Sequence, residues 1–199
     1  MIYKNGILKG NEFNEIKQNF NIIGNPIISN KILYDTSKNN YVSFNINSSS
    51  NITFQIGFKY KTVSQAYNGL ISKETPGFQF YTKKDTDSLI MELFSNTPII
   101  TFTDLVDDRD YILSFSYSNS TFTATLYSSV DSVSKTYSGV DFDMSGTWRL
   151  GITQSGNYGY DGFIYMDKIL IISNGKSYAP AISTSVSSYQ ITCEEFYEI

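Results

Sequence analysis

A strict alternation of apolar and polar residues constrains this fold more than any other feature of the sequence. Across residues 52–60, every second residue is apolar and the residues between them are polar or glycine. Because successive side chains of a β-strand point to opposite faces, this period of two predicts a strand with one buried face. The period recurs at residues 41–46, 113–127 and 148–152, with Asn-, Ser- and Gly-rich turns between the runs. The pattern predicts an all-β fold, an antiparallel two-sheet β-sandwich of the jelly-roll type.

The composition favours the same fold class. The 199 residues include 16 Tyr and 14 Phe, and hydrophobic residues make up 41% of the chain, which is enough apolar surface for one buried core. Aromatic and β-branched residues favour strands, whereas alanine, the strongest helix former, is scarce. We expect these alternating positions to lie in the core: Ile52, Phe54, Ile56, Phe58, Leu113, Phe115, Trp148, Leu150, Ile164 and Ile169.

The two ends of the chain lack this alternation. We expect an N-terminal arm or short helix at residues 1–25, one sandwich domain at residues 26–176, and a C-terminal tail or edge strand at residues 177–199. Residues 11–20 carry Phe and Ile at helical spacing, with an irregular arm as the alternative. The tail ends in apolar side chains mixed with glutamates, so it should pack on its own sandwich, on another copy or on a virion partner.

Charge and residue usage exclude several functions. The net charge is −4 and the pI is near 4.8, so neither nucleic-acid binding nor attraction to an anionic membrane is expected. No stretch of about 18 apolar residues and no signal-like N-terminus is visible, so we expect neither membrane insertion nor signal-directed export. The chain has no histidine, and Cys193 is its one cysteine. A His-based catalytic triad and an internal disulfide framework are therefore excluded.

Six segments follow the strand order of the concanavalin A-like lectin and glucanase superfamily. They are NYVSF at 40–44, ITFQIGFK at 52–59, GLISK at 69–73 with GFQF at 77–80, DDRDYIL at 107–113 with TLY at 125–127, RLG at 149–151, and YDGFI at 160–164 continuing through KILIISN at 168–174. Over residues 27–174 the chain resembles the laminin-G-like branch, which implies a concanavalin A-like sandwich. Laminarinase-type members carry an E-x-D-x-E or E-x-D-x-x-E run, which is absent here. Asp85 and Asp87 have the closest spacing but occupy a turn-like segment, so we expect no enzymatic activity.

An acidic segment precedes one predicted strand. Many members of that superfamily bind Ca²⁺ through loop carboxylates, and Asp104, Asp107, Asp108 and Asp110 supply such hard oxygen ligands. The interpretation that we favour is a solvated acidic turn, in which Arg109 balances part of the charge. We therefore expect no cofactor, with Ca²⁺ as the alternative.

Two loops contain the side chains that commonly bind sugars. Phenol rings stack on sugar rings, and amides and carboxylates form hydrogen bonds with sugar hydroxyls. The candidate ligand-binding residues are Tyr67, Asn68, Asn157, Tyr158, Tyr160 and Asp161. The alternative is that the tyrosines pack on the end of the sandwich and the asparagines serve as turn residues.

These patterns favour a non-catalytic structural or binding module on the surface of a bacteriophage virion. Such a fibre, tail or capsid-surface protein would contact host glycans, act as a homo-oligomer or with other virion proteins, and leave the cell by lysis. We expect it on the virion surface or outside the cell. The alternatives are a carbohydrate-binding protein of an AT-rich bacterium and a divergent glycoside hydrolase.

Overall fold

The computed structural model describes residues 19–178 and three short strands nearer the ends, leaving out residues 25, 30–31, 35, 48–49, 63–64, 95–96 and 174–175. Its elements, in chain order, are β1 Ile2–Lys4, β2 Ile7–Lys9, β3 Asn19–Ile23, β4 Ile27–Ser29, β5 Ile32–Tyr34, β6 Tyr41–Ile46, β7 Ile52–Lys59, β8 Tyr67–Lys73, β9 Phe78–Lys83, β10 Ser88–Leu93, β11 Thr97–Phe102, β12 Asp110–Ser118, β13 Thr121–Tyr127, β14 Ser132–Ser138, β15 Gly146–Leu150, β16 Phe163–Ser173, β17 Lys176–Tyr178 and β18 Gln190–Thr192. None of these described elements is a helix. The described part of the chain therefore contains no helix that could cross a membrane.

Two antiparallel sheets form the fold. Sheet 1 has the strand order β11-β10-β9-β8-β15-β6-β3-β18. Sheet 2 has the order β14-β13-β12-β7-β16-β5-β4, and β17 also pairs with β16. Strands β1 and β2 form a separate hairpin. All the strand pairs are antiparallel, which confirms the predicted two-sheet sandwich.

Aromatic rings fill much of the space between the sheets. All ten residues predicted for the core are buried, each with 3% or less of its surface exposed. Phe54 of β7 stacks on Phe115 of β12 with ring centroids 4.7 Å apart, and its ring also lies 4.7 Å from that of Trp148 in sheet 1. The indole nitrogen of Trp148 donates a hydrogen bond to the Met144 carbonyl oxygen at 2.9 Å, so its polar atom is satisfied inside the core.

Strands from both ends of the chain extend sheet 1. Strand β3 pairs with β6, and the ring of Phe20 stacks on that of Phe44 at 4.8 Å. Phe20, the last residue of the predicted helix, thus lies in a strand, because its ring fills the core at this edge. Residues 11–18 of that helix lie outside the described residues. Strand β18, from the predicted tail, pairs with β3, whereas Cys193 and the residues after it lie outside the described residues.

The strand register arranges five polar side chains in one row across the outward face of sheet 1. Arg149 lies between Ser43 and Ser72 on the neighbouring strands. Ser72 lies opposite Gln79, which in turn lies opposite Glu92. We call these residues the polar row. It crosses β6, β15, β8, β9 and β10 and provides the floor on which the candidate site is built.

Candidate functional site

A cleft of about 270 Å³ lies on the outward face of sheet 1. Gln79 and Glu92 of the polar row lie at its base, and Tyr67 borders it at the start of β8. A turn that follows β15 forms another wall. The residues lining the cleft are Tyr67, Gln79, Glu92, Thr153, Gln154, Ser155 and Tyr158. Its volume is slightly below the roughly 300–1,000 Å³ usual for ligand pockets, so it suits a small ring or the end of a longer chain.

Two tyrosines form the aromatic wall of the cleft. The ring of Tyr67 is 37% exposed, and its centroid lies 5.5 Å from that of the half-buried Tyr158. The ring of Tyr81 packs edge-on against Tyr67 at 5.4 Å. Tyr67 is therefore supported from two sides while part of its surface faces solvent. Such a supported phenol ring can stack on a flat apolar group without being ordered first.

Gln65 joins the two loops that the sequence marks as candidates. Its side-chain amide donates hydrogen bonds to the Asn68 side-chain oxygen at 2.9 Å and to an Asp161 carboxylate oxygen at 3.2 Å. The backbone amide of Gly69 donates to the Gly159 carbonyl oxygen at 3.0 Å. A Cβ atom on Gly69 would lie 2.0 Å from the Thr153 nitrogen, so a larger residue would push the loops apart. Glycine at this position therefore allows the two backbone segments to approach closely.

Arg149 holds the turn at residues 153–158 onto the sheet. One terminal nitrogen of its guanidinium donates to the Gln154 carbonyl oxygen at 2.6 Å, and the other forms an ion pair with Glu74 at 3.0 Å. The backbone amide of Gln154 donates a hydrogen bond to the side-chain oxygen of Gln79 at 2.9 Å. Gly156 lies inside the turn with a φ of +72°, a left-handed conformation that glycine adopts without strain. The wall that carries Tyr158 is therefore fixed to the polar row.

Tyr81 lies beside the one carboxylate of the cleft. It is 3% exposed, and burial, together with the charge of Glu92 and hydrogen bonding to Glu92, raises the pKa of Tyr81 above its usual value. The phenol is therefore protonated at neutral pH. A carboxylate has several lone-pair positions, so Glu92 keeps acceptor capacity for a ligand.

The six predicted ligand-binding residues have different places in this structure. Tyr67 and Tyr158 line the cleft, and Asn157 is exposed in the same turn without lining it. Asn68 is fully buried, and Asp161 is exposed. The sixth, Tyr160, is 2% exposed and donates its hydroxyl hydrogen bond to the Lys59 carbonyl oxygen at 3.0 Å. Its ring belongs to the core because it packs edge-on against the buried ring of Phe58.

The four candidate calcium ligands all contact other groups of the protein. Asp104 accepts a hydrogen bond from the Thr103 hydroxyl at 2.8 Å, and Asp107 accepts one from the Thr62 backbone amide. Asp110 accepts a hydrogen bond from the Tyr165 hydroxyl at 2.6 Å. Asp108 forms ion pairs with Lys59 at 3.6 Å and with Lys61 at 3.4 Å. The hydrogen bond from Thr62 lowers the pKa of Asp107. Within the described part of the chain, no group of three or more His, Cys, Asp or Glu side chains is placed to hold a metal ion.

The fold is similar to those of proteins from bacteriophages and to a sugar-bound domain. The enzymatically active domain of tailspike protein 2 from bacteriophage CBA120 matches with a TM-score of 0.59 and 11% identity over 84% of this chain and 31% of that one. The VIP36 exoplasmic/lumenal domain bound to Ca²⁺ and Man3GlcNAc matches with a TM-score of 0.51 and 10% identity, over 77% of this chain and 83% of that one. This chain has the concanavalin A-like sandwich fold.

A third similar structure is the CBM2 module of the evolved Dit protein of Lactobacillus casei BL23 phage J-1. It has a TM-score of 0.50 and 12% identity over 87% of this chain and 82% of that one. This chain spans less than a third of the tailspike domain but most of the other two. No family model and no curated protein sequence matches the chain. At identities of 10–12%, the similarity to these structures shows a shared fold alone.

Proposed function

We propose that this chain is a non-catalytic carbohydrate-binding module of a bacteriophage particle and that it binds a host glycan against the aromatic wall formed by Tyr67 and Tyr158. The observation that carries this proposal is the partly exposed ring of Tyr67, supported by Tyr158 and Tyr81, beside amide and carboxylate groups in one cleft. Within concanavalin A-like sandwiches, we assign the chain to the laminin-G-like branch, on the order of its strand segments. We place it in a fibre, tail or capsid-surface component.

The chemistry of the cleft suits a sugar. The C–H face of a pyranose is apolar and stacks on a phenol ring, whereas its hydroxyl groups lie around the edge. Gln79, Glu92 and Ser155 line the same cleft and provide an amide, a carboxylate and a hydroxyl group. A ligand with one apolar face and a polar edge can therefore satisfy both kinds of surface at once.

The similar structures support the choice of a glycan and of a phage particle. Two of the three belong to phages, and the VIP36 domain has been solved with mannose-containing ligands. An assembly is part of the proposal, either a homo-oligomer or a complex with other virion proteins. Several copies of a small cleft would raise avidity for a repetitive glycan without any new contact in a single copy.

The carboxylates of the cleft support a role without catalysis. Of the seven lining residues, Glu92 alone has a carboxylate. Most glycoside hydrolases use two carboxyl groups, one on each side of the bond that is cleaved. The cleft therefore supplies half of that arrangement, which favours binding over hydrolysis.

A glycan array with matched tyrosine variants tests this proposal. Tyr67→Ala and Tyr158→Ala should each weaken binding about tenfold or more, which corresponds to ~1.4 kcal/mol. Tyr137→Ala is the control, because Tyr137 is 36% exposed on β14 of the other sheet. It should bind like the original chain. Melting temperatures within about 2 °C of the original would show that the cleft variants remain folded.

Four results would contradict parts of the proposal. Glycan binding that is absent, or that falls equally in Tyr137→Ala, would remove the cleft from the binding function. Hydrolysis of a bound glycan that Glu92→Gln abolishes would replace the binding role with an enzymatic one. Absence of the chain from purified virions, measured by mass spectrometry, would remove the phage-particle role.

A further inference from the structure

The cleft carries a negative charge that the lining residues do not balance. Glu92 is the one ionisable acid among them, and lysine and arginine are absent from that set. Its place is fixed by the sheet, since Glu92 lies opposite Gln79 in the register of β9 and β10. Neither side chain can leave the outward face without a shift of the whole strand pair.

Tyr81 is a buried neighbour of this carboxylate. It lies on the adjacent strand, two residues from Gln79, and the charge of Glu92 and hydrogen bonding to Glu92 contribute to its raised pKa. A carboxylate has several acceptor positions, which can serve hydrogen-bond donors that enter the cleft, such as hydroxyl or ammonium groups.

The buried cation of the polar row is already paired. Arg149 is 7% exposed, and its terminal nitrogens are held by the Glu74 carboxylate and the Gln154 carbonyl oxygen. Gln154, which accepts this hydrogen bond, also lines the cleft. Lys83, which lies opposite Tyr67 across β8 and β9, is exposed and does not line the cleft. An acidic ligand in the cleft would therefore meet Glu92 without a facing cation.

On the basis of the proposed glycan function, we infer that the cleft selects uncharged or amino-bearing sugars against acidic ones, with Glu92 as the specificity-determining residue. Hydroxyl and ammonium groups donate to its carboxylate. The carboxylate of a uronic acid would instead be repelled by a like charge in a partly enclosed site, where water screens charge less than in bulk solution.

Matched sugar pairs test this selectivity. The probes are methyl β-glucoside with methyl β-glucuronide, and methyl α-galactoside with methyl α-galacturonide, because each pair differs in having a CH2OH or a carboxylate at C6. Saturation-transfer NMR at low ionic strength should show at least a tenfold preference of the original chain for the neutral member of any pair that binds. Glu92→Gln should reduce this preference several-fold, and Glu92→Lys should reverse it.

Asp131→Lys is the control for net charge. Asp131 is exposed in the turn before β14, on the other sheet, and its replacement changes the charge of the chain as much as Glu92→Lys does. It should leave the preference unchanged. Equal or stronger binding of the acidic member, or a reversal caused by Asp131→Lys, would overturn the inference while the glycan function stands. If neither these sugars nor any array glycan binds the original chain, the proposed function itself fails, and the inference fails with it.

Discussion

The two outward faces of the sandwich have the same alternating backbone but different chemistry. On sheet 1, the polar row brings together a guanidinium, an amide and a carboxylate from Arg149, Gln79 and Glu92. The turn at residues 153–158 covers part of this face and creates the cleft. The functional groups of this face are diverse, and a loop encloses them.

The outward face of sheet 2 carries rows of hydroxyl groups instead. Ser114 of β12 lies opposite Thr125 of β13, which lies opposite Ser134 of β14. The hydroxyl of Thr125 donates to that of Ser134 at 3.0 Å. These groups hydrogen-bond to one another or face solvent, and all of β14 is exposed. The comparison teaches that alternation specifies the sandwich, whereas the loop and the residue types of one face specify the cleft.

A substitution in the core between the two sheets should have the largest effect on stability. Phe54→Ala removes a ring that contacts both sheets and should lower the free energy of unfolding by about 3–5 kcal/mol, the usual cost of such a cavity. Chemical denaturation followed by tryptophan fluorescence measures it. Both faces should lose order in a single transition. An unchanged midpoint would contradict the central place of Phe54 in the core.

Two substitutions, one on each outward face, should lower the free energy of unfolding by different amounts. Arg149→Met should lower the free energy of unfolding by about 2 kcal/mol, because hydrogen bonds to a charged group contribute roughly 1.5–3 kcal/mol and the exposed partner Glu74 can be hydrated again. Thr123→Ala, on the hydroxyl face of sheet 2, should change it by less than about 0.5 kcal/mol. Denaturant titration of both variants checks this difference. Equal effects would mean that the turn on sheet 1 is not held by Arg149.

Removal of metal ions should give the smallest effect. EDTA should change the melting temperature by less than about 1 °C, because no bound ion would be lost from the folded state. The carboxylates of Asp104, Asp107, Asp108 and Asp110 already contact hydroxyl, amide or ammonium groups of the protein. Differential scanning calorimetry with and without EDTA measures the change. A fall of many degrees that Ca²⁺ reverses would make these four residues the first to mutate.

The sequence predicts the strands that have one buried face. In β7 and β12 the apolar residues recur at every second position, and the structure buries them. Strand β14 escapes prediction because all seven of its residues are exposed, so no apolar period marks it. Its place depends on pairing with β13, a long-range contact that local patterns do not contain. The same limit applies to β3, where Phe20 has helical spacing but fills the core.

The sequence predicts the part of the cleft that local sequence patterns mark, and it misses the part that depends on strand pairing. Tyr67 and Tyr158 are found because Asn and Gly, which are typical of turns, stand next to each of them in the sequence, a local signal. Gln79, Glu92 and Arg149 lie on three different strands, each in an otherwise ordinary alternating run. Only the register of the sheet brings them together. Arg149 offers one signal that could have been used, since it is one of two arginines in the chain and sits between apolar core residues.

The anchored turn at residues 153–158 has a consequence for the thermodynamics of ligand entry. Its backbone is already tied to Arg149 and Gln79, and the Thr153 amide donates to the Tyr158 carbonyl oxygen at 2.9 Å. A ligand that enters this cleft would find the wall in place, so little backbone conformational entropy would be lost on binding. The remaining cost would come from side-chain rotamers and displaced water. Association would then be limited by orientation during encounter rather than by loop closure.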